Sequence, residues 1–217
     1  MRMRIGIGYD IHRFHGKRPL KLGGITIPSA RGLAGHSDAD VLLHAVADAL
    51  LGAIGAPDLG EQFPPGDRRW RNADSRTFVK AAYAQARRKG WAVENLDATV
   101  IADAPRLMGY KGRMQKAIGM LLAVTPDRIS VKAKTTEGFS PAAGGIAAQA
   151  VVLLRAASRA AARPGHSAGG HGRDPEGGLA RGGHGHPGRE LLVVVVRLEV
   201  LGRDGGAVHD AVVVAVR

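Results

Sequence analysis

An aspartate and a histidine stand two residues apart in Gly8-Tyr9-Asp10-Ile11-His12. In an extended segment that spacing sends both side chains to one face, so a carboxylate and an imidazole can be offered to one ion. A second polar group follows in Gly35-His36-Ser37-Asp38-Ala39-Asp40, then His44 inside an apolar helical pattern, then Asp48. Each piece has an ordinary reading. Asp-X-His occurs on many surfaces, and a histidine in an apolar stretch is usually a core residue satisfied by a neighbour. Together, Asp10, His12 and His44 make an Asp/His/His set for zinc or a similar divalent transition metal, with a fourth position open. Asp48 lies one turn from His44 and is expected to accept its second ring proton, fixing the tautomer of a metal-binding imidazole. A third group is Thr135-Thr136-Glu137, where a strand ends. Hydroxyls suit phosphate oxygens, and a carboxylate suits a hard magnesium ion sharing them; a plain strand-to-loop junction has the same composition.

These side chains need elements to hold them. Alternation predicts a strand over 2–9, and Pro19–Pro28 reads as a hairpin turning at Gly23-Gly24. Residues 38–54 carry the clearest helix, capped by Asp38 with Asp40 in its first turn. A loop covers 55–73. A second helix starts at Asp74 or Ser75 and stops at Gly90. A strand over 92–103, a helix over 108–123 and strands over 128–135 and 145–155 follow. This order predicts an α/β (α+β) fold: a single sheet with helices packed on one face, the other face needing a partner chain or the tail to cover it.

The 217 residues, 45% of them hydrophobic, suffice for one domain with a sizeable core. The absence of cysteine excludes disulfides, thiol nucleophiles and cysteine-ligated zinc. No apolar run approaches the ~18 residues of a membrane span, and the first residues lack a signal peptide's apolar stretch, so a cytoplasmic location is expected. The net charge of +12 invites a nucleic-acid reading, but the basic residues are scattered and aromatics are only 4%. A small anionic substrate or a solvated face accounts for the charge as well. Composition changes near residue 157. Residues 158–190, rich in Gly, His and Arg, read as a disordered linker, whose histidines offer at most loose metal binding. Residues 191–217 are β-prone, and 191–201 with 207–216 suggest a hairpin. Residues 1–157 are the expected catalytic domain.

The chain resembles the 2-C-methyl-D-erythritol 2,4-cyclodiphosphate synthase family. The resemblance is carried by IGIGYDIHRF (5–14), LGGITIP (22–28), GLAGHSDADVLLHAVADALLGAIG (32–55), DLGEQFP (58–64), ADSR (73–76), ATVIADAPRL (98–107), VKAKTTEGF (131–139) and GIAAQAVVLL (145–154). These follow the family's order across nearly all of residues 3–155. The resemblance implies cyclisation of 4-diphosphocytidyl-2-C-methyl-D-erythritol 2-phosphate with loss of CMP, a phosphorus–oxygen lyase reaction of non-mevalonate isoprenoid biosynthesis. It implies a homotrimer with sheets around a central channel and intersubunit active sites, zinc on Asp10, His12 and His44, and Mg2+ or Mn2+ with the substrate diphosphate. It implies no nucleic acid and no membrane, and leaves open association with the preceding pathway enzyme.

The resemblance also implies site roles. Asp10 and His12 touch substrate as well as metal, and His36 and Ser37 contact it from a mobile loop. Asp48 sits beside the ligating histidine. Asp58 and Gly60 hold the erythritol part, and Phe63, Pro64 and Asp67 belong to the following substrate loop. Ala102, Asp103, Ala104, Pro105, Arg106, Leu107 and Met108 wrap cytidine and its phosphates from the adjacent subunit. Thr135, Thr136 and Glu137, with Phe139, form the phosphate and magnesium segment. His36, Ser37, Asp48, Thr135, Thr136 and Glu137 are the expected catalytic group.

The chain departs from the family pattern in places. Phe63-Pro64-Pro65-Gly66-Asp67 replaces Phe-Pro-Asp-Thr-Asp, and Lys134 replaces a threonine. The segment after Glu137 is shortened, and Pro141-Ala142-Ala143-Gly144-Gly145 lacks an arginine that resembles one facing the channel, where a prenyl diphosphate binds. Two rival readings use the same residues: a zinc-dependent phosphohydrolase with a metal-bound water, and a non-catalytic metal- or nucleic-acid-binding protein drawing on the arginines and the tail histidines.

Overall fold

Alternating burial along the strands shows how the sheet is faced. The computed structural model describes residues 2–137 and 144–157, and the backbone of 192–201 and 207–216. Its main sheet has five strands, β4 (Gly32–Leu33), β1 (Met3–His15), β7 (Gly145–Ala156), β5 (Trp91–Ile101) and β6 (Ile129–Lys134), in that order across the sheet. All neighbours are antiparallel except β5 and β6, which are parallel. Leu96, Ala98 and Val100 of β5 and Ile146, Ala148, Ala150, Val152 and Leu154 of β7 are buried on the helix side. Gly6, Gly8, Asp10 and His12 of β1 pair with Val152, Ala150, Ala148 and Ile146 and share that side. The strand thus runs six residues past the expected end at Tyr9 and carries Asp10 and His12 within it.

Helix α1 (Val41–Ala53) is buried at every residue except Asp48 and Gly52. A helix apolar all round belongs in the middle of a structure, and α1 lies between the sheet and α3 (Arg76–Arg88). Its cap is Asp40, not Asp38. Asp40 Oδ1 accepts from Leu43 N at 3.0 Å and from Gly23 N at 2.8 Å, and Oδ2 accepts from Gly24 N at 2.6 Å. One buried carboxylate therefore closes both the helix start and the turn between β2 (Leu20–Leu22) and β3 (Ile25–Ile27). Burial pushes this carboxyl up, and the three N–H donors only partly offset it. The segment 55–73 holds a short helix, α2 (Leu59–Gln62), and a 3-10 turn over Arg68–Trp70. The expected helix over 108–123 divides into a 3-10 turn, Met108–Tyr110, and α4 (Lys111–Leu122).

A separate antiparallel pair joins β8 (Leu192–Leu201) to β9 (Ala207–Val216), with Leu192 opposite Val216 and Leu201 opposite Ala207. The expected linker 158–190, Phe139 and most of the shortened 137–145 segment lie outside the described residues. No described helix is long and apolar enough to cross a membrane.

Candidate active site

Strand β1 meets α1 through backbone rather than side chains. A Cβ on Gly8 would lie 2.0 Å from the Ala45 carbonyl oxygen, and one on Gly6 2.0 Å from that of Ala49. Glycine alone permits this approach, which brings His44 over the following inward positions of β1. Asp10 Oδ2 lies 2.8 Å from His12 Nε2 and 2.9 Å from His44 Nδ1, and the two ring nitrogens are 3.3 Å apart. The three residues each offer a ligand atom, all within 4.8 Å of one another. The expected Asp/His/His set is thereby brought together.

The donor chemistry fits a divalent transition metal. His12 Nδ1 is hydrogen-bonded to the Ala34 carbonyl. A carbonyl only accepts, so Nδ1 carries the proton and the neutral ring turns its Nε2 lone pair inward. A carboxylate oxygen and imidazole lone pairs aimed at one point repel unless a cation is shared among them, and one oxygen with two imidazoles suits zinc or a similar ion. Where no cation is shared, protons take its place: burial pushes the Asp10 carboxyl up, but hydrogen bonds and charge from His12 and His44, when these rings carry the proton on the facing nitrogen, outweigh it and hold the group well below the usual carboxylate range. Burial pushes the His12 imidazole down, and Asp10 with the Ala34 carbonyl reverses that to a net rise.

The other side of His44 corrects an expectation. Its Nε2 lies 2.9 Å from Ser75 Oγ and 3.1 Å from Ser37 Oγ, so Asp48 is not its partner. The i, i+4 spacing puts Asp48 on the same side of α1, but the imidazole turns Nε2 toward the start of α3, beside Phe78 (ring centroids 6.0 Å apart). Asp48 Oδ1 instead accepts from Leu59 N at 2.8 Å and tethers α2. Burial pushes the Asp48 carboxyl up, the Leu59 N–H pulls it back, and the charges of Asp58 and Asp10 add to the rise.

The Asp/His/His group opens on a cavity of about 270 Å3. Of the expected site residues, His36, Ser37, Asp48, Gly60 and Phe63 line it with Asp10, His12 and His44. Leu59, Pro65, Trp70 and Phe78 complete an apolar wall, in which Phe63 stands 5.0 Å from Trp70 and 4.8 Å from Phe78 by ring centroids. Asp58, Pro64 and Asp67 do not line it. Asp58 caps α2 through Glu61 N (2.8 Å), and Asp67 pairs with Arg69 (2.6 Å).

A second group forms where the parallel strands β5 and β6 end together. Ala102 N donates to the Lys134 carbonyl at 2.9 Å, and Asp103 accepts from Thr136 N and Oγ1, each at 2.8 Å. Thr135 Oγ1 donates to Glu137. The Ala104–Pro105 peptide is cis. This oxygen-rich set suits a hard cation and phosphate. Neither 102–108 nor 135–137 lines the cavity of its own chain.

The sequence signals Phe63 of the aromatic wall, but neither its partners Trp70 and Phe78 nor Ser75 beyond its place as a helix start. Ser75 meets His44 across 31 residues, a contact no local spacing signals; the wall's members are scattered over loop and helix and carry no periodicity.

The pattern of the YgbB family matches residues 3–155. The 2-C-methyl-D-erythritol 2,4-cyclodiphosphate synthase of Moorella thermoacetica is 54% identical over 154 residues, covering 70% of this chain and 94% of the relative. Among solved structures, the bifunctional IspDF from Campylobacter jejuni superposes with a TM-score of 0.68 at 41% identity, covering 71% of this chain and 42% of that one. A 2C-methyl-D-erythritol-2,4-cyclodiphosphate synthase in its CDP-bound form gives 0.66 at 38% identity, covering 70% of this chain and 100% of that one.

Proposed function

The chain belongs to the YgbB family, and from that premise we propose that it converts 4-diphosphocytidyl-2-C-methyl-D-erythritol 2-phosphate to 2-C-methyl-D-erythritol 2,4-cyclodiphosphate and CMP, in non-mevalonate isoprenoid precursor biosynthesis. The observation that carries this reading is the convergence of Asp10, His12 and His44 at the floor of a cavity, within a stretch 54% identical to a named synthase. A divalent ion such as zinc, held by these three residues, supplies Lewis acidity and a template for the diphosphate.

The chain's own residues position and enclose. His36 and Ser37, which line the cavity, orient phosphate oxygens. Gly60, in the cavity wall, lies against the erythritol end, and Asp58, which caps α2, reaches it through the carboxylate oxygen that the cap leaves free. Phe63, Trp70 and Phe78 exclude water, so the internal 2-phosphate is the nucleophile at hand. One of its oxygens forms a bond to the β-phosphorus, and the bond from that phosphorus to the oxygen bridging the CMP phosphate breaks. CMP leaves with the electron pair, and an eight-membered cyclic diphosphate remains. The Thr135 and Thr136 hydroxyls turn to phosphate oxygens, and Glu137 with Asp103 would hold Mg2+ or Mn2+ carried with those phosphates. Asp48 borders the ligating histidine as a cavity-wall carboxylate.

Ala102–Met108 and Thr135–Glu137 serve the cavity of a neighbouring subunit in a homotrimer. Their absence from their own chain's cavity supports this, as does the CDP bound by a relative. The uncovered sheet face supports it too: Ile7, Tyr9 and Ile11 stand 44%, 58% and 52% exposed. The reaction runs in the cytoplasm, and the likeness to a bifunctional chain is compatible with association with another enzyme of the pathway. The test is incubation of the full chain with the cytidine substrate and Mg2+. Equimolar CMP and cyclic product without free phosphate are expected. Release of free phosphate would point to a phosphohydrolase, and no product from a folded, zinc-loaded chain would overturn the assignment.

A further inference from the structure

We propose that Ser75 is a positioning residue for His44: backed by Asp38, it holds the imidazole as the Nε2–H tautomer and so turns the Nδ1 lone pair toward Asp10 and His12. The inference rests on reading those three residues as a metal site. It follows from counting protons. Ser75 is 0% exposed, so water cannot exchange for its partners. Its hydroxyl has one hydrogen, and Asp38 Oδ1, which as a carboxylate oxygen can only accept, lies 2.5 Å away. With that hydrogen committed, Ser75 Oγ faces His44 Nε2 at 2.9 Å as an acceptor. Nε2 must then be N–H, and in the neutral ring Nδ1 is left with its lone pair.

The surroundings hold the relay in place. Asp38 N donates to the Ala73 carbonyl at 2.9 Å, and Asp38 Oδ1 also accepts from Ser75 N at 3.2 Å. Ser37 Oγ, 3.1 Å from His44 Nε2, already accepts from Ala39 N at 3.1 Å and serves as a second acceptor for the same N–H. The ring is flanked by His12 and Phe78, with centroids at 5.2 and 6.0 Å. The two imidazoles of the site are thus set by different devices: His12 by the Ala34 carbonyl, and His44 by a carboxylate–serine pair from the loop before α1 and the start of α3.

The test compares the full-length chain with Ser75→Ala and Ser75→Thr. Zinc affinity is read by competition with a chromophoric chelator, and the His44 tautomer by long-range 1H–15N correlation in the metal-free and zinc-loaded states. The expected result is an Nε2–H signature in the parent chain. Ser75→Ala mixes the tautomers and weakens zinc binding about 10–100-fold, and Ser75→Thr, which keeps the hydroxyl, restores most of both. Should Ser75→Ala fail to fold, Asp38→Asn gives the same readouts with a smaller loss of affinity, because a neutral amide is a poorer anchor for the hydroxyl. A folded Ser75→Ala, or in its stead Asp38→Asn, with parental affinity and tautomer overturns the relay alone. A parent chain that takes up no zinc overturns the metal reading and the relay with it.

Discussion

His44 is where a sequence pattern and a tertiary contact meet. Its place beside Asp10 and His12 was legible because those two share a strand face by their period of two, and because a histidine in so apolar a helix needs a partner. Its orientation was not, because the i+4 rule locates Asp48 on a helix face without fixing which way an imidazole turns. His44→Ala should lose zinc and CMP formation together. The loss of affinity should exceed the about 10–100-fold that attends loss of an outer hydrogen-bond partner, as metal analysis and product assay will show. Retention of both would refute the site assignment. Asp40 is the contrasting residue: 0% exposed, outside the cavity lining and committed through its side chain to three backbone donors. Asp40→Asn turns an amide N–H2 toward one of those donors and should cost about 1–3 kcal/mol in urea unfolding. The sign of its pH dependence follows from the raised carboxyl. Between the ordinary value of 3.8 and the raised one, the unfolded chain has released the proton and the folded chain keeps it. Stability then falls as pH rises through that window, and the parent chain's advantage over Asp40→Asn should narrow in the same direction.

Among the elements, long periodic segments were legible and their ends were not. Alternation predicts β1 only to Tyr9, because the inward positions beyond it, Asp10 and His12, are polar and end the apolar alternation although the chain stays extended. They are polar because the sheet's inner face there is the site rather than the core. The sequence reads Asp38 as the cap and Asp40 as a first-turn acid, and an aspartate's chemistry is the same in both places. The structure separates them by giving Asp38 to Ser75 and Asp40 to the turn between β2 and β3. Short pieces such as β4 and α2 hold too few residues for any period to show. The contact between β1 and α1 is the one on which the site depends, and it is easily perturbed. In Gly8→Ala the new Cβ meets the Ala45 backbone oxygen at 2.0 Å, which no side-chain rotation relieves. The helix must lift, at about 1–3 kcal/mol, and His44 lifts with it. Thermal unfolding should show the loss of stability, and zinc affinity should fall although no ligand has changed. Unchanged affinity would mean that His44 reaches Asp10 without the close backbone contact.

At the scale of the whole molecule, the candidate metal-binding set belongs to one chain, whereas the proposed active site does not. Asp10, His12 and His44 all come from β1 and α1, while Ala102–Met108 and Thr135–Glu137 lie outside their own cavity. This separates two properties that a catalytic lesion would remove together. Removing residues 158–217 should leave about one tight zinc per chain and leave turnover intact, because both candidate groups lie before residue 158; a large loss of zinc would favour a storage role for the tail histidines. Disrupting the exposed sheet face should act differently. Ile7 points away from the helices and is 44% exposed, so a charge there has no core to disturb within the chain. In Ile7→Asp, three like charges would have to be desolvated wherever the faces of a trimer meet, and assembly should fail. Sedimentation velocity is expected to show monomers that still bind zinc with parental affinity but form CMP at least ~100-fold more slowly, since each cavity loses the groups that place the reacting phosphate. Monomers with full turnover would show that one chain suffices, and the second group, at the ends of β5 and β6, would then need another role.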